Sequence, residues 1–136
     1  GCAVQAIGHA QGALDLTVEY VKERKAFGQS VAQFQNTRFK LAQCNTELEM
    51  CKALLEKNMV KYQNQQMTVT DAAVLKLSAT EMQLTMVNEC LQLFGGYGYT
   101  DEYPISRFYR DARVQTIYAG SSEIMKEMIA RDLLGR

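Results

Sequence analysis

Residues 70–96 read TDAAVLKLSATEMQLTMVNECLQLFGG, and the spacing of their apolar side chains decides the fold. Val74, Leu77, Leu84, Val87, Leu91 and Phe94 recur at steps of three, four and seven, the period of one helix face. Thr70 or Asp71 is the expected opening residue, since both can cap exposed N–H groups. Gly95-Gly96 closes the helix, because glycine enters the left-handed region without a Cβ clash. Upstream, a second stripe runs Phe34, Leu41, Leu48, Leu55 and Tyr62, with Cys44, Cys51 and Met59 between. It predicts a helix of about eight turns, roughly 45 Å long. A polar break at Asn64–Met67 separates the two. Further upstream, Val4, Ile7, Leu14, Val18 and Val21 predict a helix from Val4 to about Lys25, ended by Phe27-Gly28. Ala3, Ala6, Ala10 and Ala13 lie beside that stripe and allow close approach to a neighbour.

Beyond Gly96 the periodicity fades into an ordered loop, a short helix around Ile105–Ala112, and a last helix from Ser121-Ser122. That last helix is expected to bury Ile124, Met125, Met128, Ile129 and Leu133. Long helices with short connections predict an all-α antiparallel four-helix bundle, one domain over residues 1–136. A single proline and nine glycines in the chain agree with few interruptions. The chain opens with Gly1 rather than Met, on helix-like text without a capping residue. It is therefore expected to be a piece of a longer protein, with no targeting segment of its own.

Lys+Arg and Asp+Glu balance at 15 each, which favours neither nucleic acid nor an anionic membrane. No run of about 18 apolar residues would span a bilayer. Cys2, Cys44, Cys51 and Cys90 show no CxxC spacing, and His9 is the only histidine, so a structural zinc site is not expected. Cys44 and Cys51 share one helix and are roughly 10 Å apart along it, too far for a disulfide. The cysteines read as small core thiols. Glu-x-x-His pairs, a Gly-x-Ser-x-Gly elbow, a phosphate-binding loop and GxGxxG are all missing.

Three segments are more specific than bundle packing requires. They are Lys22-Glu23-Arg24-Lys25-Ala26-Phe27-Gly28 with Gln35 beyond, Cys90-Leu91-Gln92-Leu93-Phe94-Gly95-Gly96-Tyr97-Gly98-Tyr99, and Arg110-Asp111-Ala112-Arg113 followed by Ile117-Tyr118-Ala119-Gly120-Ser121-Ser122-Glu123-Ile124. In order and spacing, from Gly1 to Arg131, they resemble the carboxy-terminal domain of the acyl-CoA dehydrogenase family. The resemblance implies an FAD site shared with a neighbouring subunit, an acyl-CoA substrate, electron-transferring flavoprotein as partner and a homotetramer. It implies bacterial cytoplasm or mitochondrial matrix as location, according to the source.

By the same resemblance, Arg24 contacts the flavin pyrophosphate, a task suited to a planar, permanently charged fork. Phe27 and Gln35 line the cofactor, and Gln92, Leu93, Phe94, Gly95 and Gly96 lie against its adenosine and pyrophosphate end. Ser121, Ser122 and Glu123 face FAD at a helix start, where unpaired N–H groups favour anions. Glu123 is then expected to accept from ribose or adenine. Tyr118 and Gly120 border the acyl thioester, and Arg131 lies near CoA. Many relatives carry the catalytic glutamate where this chain has Ala119. Long-chain and isovaleryl-type members place it on the first helix of this domain instead. The first glutamate here is Glu19, about four turns down that helix toward Gly28 and too far from the thioester. The base is therefore expected upstream of Gly1 or absent. A related flavoenzyme (acyl-CoA oxidase, nitroalkane oxidase, flavin monooxygenase) or a helical assembly module without chemistry are the alternatives.

Overall fold

The three apolar stripes become three long helices in the computed structural model, which describes residues 1–135. Helix α1 spans Cys2–Glu23, α2 Gln35–Gln63 and α3 Val69–Phe94. A 3-10 turn covers Gly95–Tyr99, then α4 runs Ile105–Gln115 and α5 Ser122–Leu134. Helix α3 is central and packs against all four others, with α1 its most extensive neighbour. Ala3, Ala6, Ala10 and Ala13 are buried on α1, as close packing needs. Leu48, Met86, Val87, Ile105 and Phe94 fill the core, each worth about 1.5–3 kcal/mol of burial.

Helix α3 packs against four helices, so its buried face is wider than the expected stripe, of which Val87 and Phe94 are buried. Val74, Leu77, Leu84 and Leu91 are half-buried, while Ala73, Ala79, Met82, Met86 and the polar Lys76, Thr80 and Gln83 lie deeper. Its opening also differs. Thr68, not Thr70 or Asp71, is the cap: its hydroxyl accepts from Asp71 N–H at 3.0 Å while Asp71 accepts from Thr68 N–H at 3.0 Å. This reciprocal capping box satisfies two end donors at once.

Helix α1 stops at Glu23, earlier than Phe27-Gly28 suggested, because Arg24 is extended and begins a small hairpin. Strands β1 (Lys25–Ala26) and β2 (Gln29–Ser30) pair antiparallel, joined by Phe27 at φ 53° and Gly28 at φ 80°. Two successive positive φ values make the tight turn whose twist matches a hairpin.

Helix α5 departs most from expectation. Ile124 and Leu133 are exposed, Met128 and Ile129 half-buried, and Met125 alone of the five is buried. The apolar face of α5 is wider than the surface that α3 offers it. The same holds on α2, where Met59, Val60 and Tyr62 are exposed beside the buried Cys44, Leu48 and Cys51. Cys2, Cys44, Cys51 and Cys90 are free thiols.

Candidate functional site

The end of α1 and the end of α3 meet over an aromatic floor. Tyr20 stacks on Phe94 with centroids 4.0 Å apart, and Tyr103 meets both edge-on. Above them lies a cavity of about 490 Å³ lined by Tyr20, Arg24, Val31, residues 92–97 and Thr100. Arg24 lies over the Tyr97 ring at 5.4 Å, a cation–π arrangement that steadies the guanidinium without neutralising it. Arg24 pairs with no carboxylate among the described residues. Gly95 turns at φ 61°, and a Cβ there or at Gly96 would meet nothing within 4 Å, so the backbone is open to a ligand. One cation, a glycine backbone uncovered by side chains and aromatic walls suit a phosphate-bearing, ring-containing ligand.

Five of the expected residues, Gln92, Leu93, Phe94, Gly95 and Gly96, thus join Arg24 in one cavity. Phe27 and Gln35 do not line it. Phe27 stands out at the hairpin tip, 96% exposed, with Phe34 edge-on at 6.2 Å. An aromatic residue held both left-handed and fully exposed is strained without local compensation. Gln35 is the exposed first residue of α2.

A second cavity of about 410 Å³ lies at the start of α5, between Glu81, Leu84, Arg113, Thr116, Ile117 and residues 121–123. Ser121 is the cap of α5 and accepts from Ile124 N–H at 3.4 Å. Ser122 is buried, its hydroxyl donating to Glu81. Glu123 is exposed, and its own backbone N–H and the Ser121 hydroxyl hold its carboxyl below the usual range. Arg131 is exposed on α5 and paired with Glu127 at 2.8 Å.

The turn from α4 to α5 carries the remaining positions. Ala119 has φ 53° and Gly120 φ 94°, two left-handed residues in sequence. Ala119 borders a third cavity, about 390 Å³, together with Gly1, Cys2, Ala3, Met67, Lys76, Met125 and others. The first residues of α1 and the Ala119 turn therefore face one space. Lys76, 8% exposed on α3, donates to the carbonyls of Gln115 at 3.1 Å, Tyr118 at 2.9 Å and Gly120. Tyr118 itself is exposed.

Residues 1–134 match the family described as acyl-CoA dehydrogenase, C-terminal domain. The chain belongs to the acyl-CoA dehydrogenase family. It is 42% identical over 134 residues to a 3-(aryl)acrylate reductase of Clostridium sporogenes, covering 98% of this chain and 36% of that protein. It is 40% identical over 129 residues to the mitochondrial long-chain specific acyl-CoA dehydrogenase of Sus scrofa, covering 95% and 30%. Among solved structures, a glutaryl-CoA dehydrogenase from Mycobacterium smegmatis in complex with FADH2 superposes with a TM-score of 0.96 at 26% identity, covering 100% of this chain and 35% of that one. The chain thus spans roughly a third of the length of these relatives.

Acyl-CoA dehydrogenase family proteins bind FAD. The Arg24 cavity fits one end of that cofactor: an unpaired guanidinium and glycine backbone for a pyrophosphate, and Tyr97 beside it. The sequence reading gives no role to Tyr20, Tyr97 or Lys76. The signal for Lys76 was present, as the one charge in a row with Ala73, Thr80 and Gln83, all buried on α3. A lone lysine within a buried helical row needs acceptors.

Proposed function

We propose that this chain is the helical domain of an FAD-dependent oxidoreductase acting on acyl-CoA thioesters between the acyl-CoA and trans-2-enoyl-CoA states. The observation that carries the reading is the shared cavity of Ala119 and the first residues of α1. A carboxylate at either place would reach the same substrate α-carbon. The base is then a residue of the chain preceding Gly1, on the side of α1 that faces Ala119, as in the long-chain and isovaleryl-type arrangement. FAD, when bound, exchanges the hydride at the β-carbon. Arg24 and residues 92–96 hold its phosphate end, Ser121 and Glu123 meet a cofactor at the start of α5, and the 118–120 turn forms one wall for the thioester. Phe27 and Gln35 complete the cofactor site, and Arg131 lies toward CoA. Relatives are named for both dehydrogenation and reduction, and the same pocket serves either direction. Family membership supports electron-transferring flavoprotein as the redox partner. The exposed apolar side chains of α2 support a homo-oligomer, a tetramer by family resemblance.

The test uses the full-length protein loaded with FAD under anaerobic conditions. Saturated acyl-CoA of varied chain length should bleach the oxidised flavin, and enoyl- or arylacrylyl-CoA should restore colour to the reduced one. Failure of both in a protein that retains FAD would favour the assembly-module alternative.

A further inference from the structure

The reaction assigned above gives no task to the one buried cation of α3, and its contacts are unusual. An ammonium has three N–H donors. Lys76 directs them to three backbone carbonyls of one turn, Gln115, Tyr118 and Gly120, and to no carboxylate among the described residues. Burying a charge without a counter-charge is costly, and a neutral residue would cap the end of α4 at less cost. What the ammonium achieves is convergence, since a single neutral donor could not hold three carbonyls at once.

The consequence lies on the other side of the turn. In a trans peptide, C=O and the following N–H point in opposite directions. With the Tyr118 carbonyl drawn to Lys76, the Ala119 N–H is turned away from it, and it has no backbone partner among the described residues. Ala119 in the left-handed region costs conformational energy that an untethered turn would relax, whereas Gly120 takes its positive φ freely. Lys76 also borders the cavity that Ala119 and Gly1–Ala3 share. We propose that Lys76 is a positioning residue of the acyl site, whose three carbonyl bonds fix Ala119-Gly120 in the geometry the thioester requires. This rests on the assignment of that cavity to the acyl thioester.

The experiment compares full-length, FAD-loaded wild type with Lys76→Met, of similar length and without donors, and Lys76→Arg. Two readouts are taken, amide exchange across residues 117–121 and kcat against KM for acyl-CoA. In Lys76→Met, exchange in the turn should quicken at least about tenfold, the scale of one lost charge-assisted bond. Its kcat should fall about a hundredfold, as a displacement near 1 Å can cost, while KM and FAD content stay near wild type. Lys76→Arg keeps the charge, but its donors are spread over a planar fork on a longer side chain and match three carbonyls gathered around one nitrogen less well, so both readouts should be intermediate. It also carries the test if the Met variant does not fold. Unchanged exchange, or a quickened turn with wild-type kcat, would overturn the proposal. A wild-type protein without any acyl-CoA response would instead overturn the site assignment, and exchange alone would then decide whether Lys76 fixes the turn.

Discussion

Arg24 sits where helix α1 gives way to the hairpin, its guanidinium over Tyr97 and free of any carboxylate among the described residues. A bidentate hydrogen bond to a phosphate is available to that planar fork and not to a lysine ammonium. In the full-length protein, Arg24→Ala should weaken FAD retention by about 10- to 100-fold, the range of one charge-assisted bond. Arg24→Lys should recover only part of it. FAD dissociation followed by fluorescence measures both, and full recovery with lysine would show that a point charge suffices. The residue types around Arg24 were legible because family motifs run along the chain, and Gln92–Gly96 closes on Arg24 through the ends of two predicted helices. Lys76 was not legible in the same way. Its role depends on three carbonyls that lie 39 to 44 residues away, and backbone acceptors leave no mark in a sequence.

Helix boundaries show a similar division. The interior of α3 was readable from its period, but its first residue was not, because the capping box is a competition between Thr68 and Thr70 that only the backbone settles. Asp71 completes that box and also accepts from Lys61 at 2.7 Å. The Lys61 ammonium, then the Thr68 N–H and hydroxyl, pull its carboxyl down to about 2. An unfolded aspartate titrates at ~3.9. The folded value is the lower one, so the contribution is complete above ~3.9 and is lost as pH falls toward 2. Asp71→Asn should therefore be less stable than wild type at pH 7, with the difference shrinking between ~4 and 2. Thr68→Ala, removing the other half of the box, should cost about 1 kcal/mol. Thermal melts across that pH range provide the check, and a gap that stays constant in acid would rule out the ionised form as the source. The hairpin before α2 was missed for a different reason. Two-residue strands carry no alternation, and Phe27-Gly28 reads equally well as a helix stop or a tight turn.

At the scale of the whole molecule, the chain divides into a finished core and an unfinished surface. Helix α3 packs against the four other helices, with Met86, Val87 and Cys90 fully buried and the Glu81, Thr85, Asn88 and Gln92 face open, so the helical bundle has what it needs to fold. The surface is another matter. Phe27 is 96% exposed, Tyr62 73% and Leu133 78%, on the hairpin, α2 and α5 respectively. Met59, Val60 and Tyr62 are exposed together at the end of α2, and Leu133 and Leu134 at that of α5, so the exposure is clustered and not scattered. The proposed cofactor site is equally partial, because the Arg24 cavity and the cavity at the start of α5 share no lining residue. Each offers a short arc of contacts to a large ligand. Affinity depends on enclosing most of a ligand's surface, and open arcs do not enclose one. The 136-residue chain alone should therefore give a helical circular dichroism spectrum and a cooperative melt, yet lose added FAD on gel filtration. It should also self-associate, because the same apolar faces are the ones proposed to join copies of the intact protein. Sedimentation and flavin absorbance of the eluted peak test both halves. A monomeric, stoichiometrically yellow domain would mean that these few contacts suffice for FAD, and that the exposed faces of α2 and α5 are not interfaces.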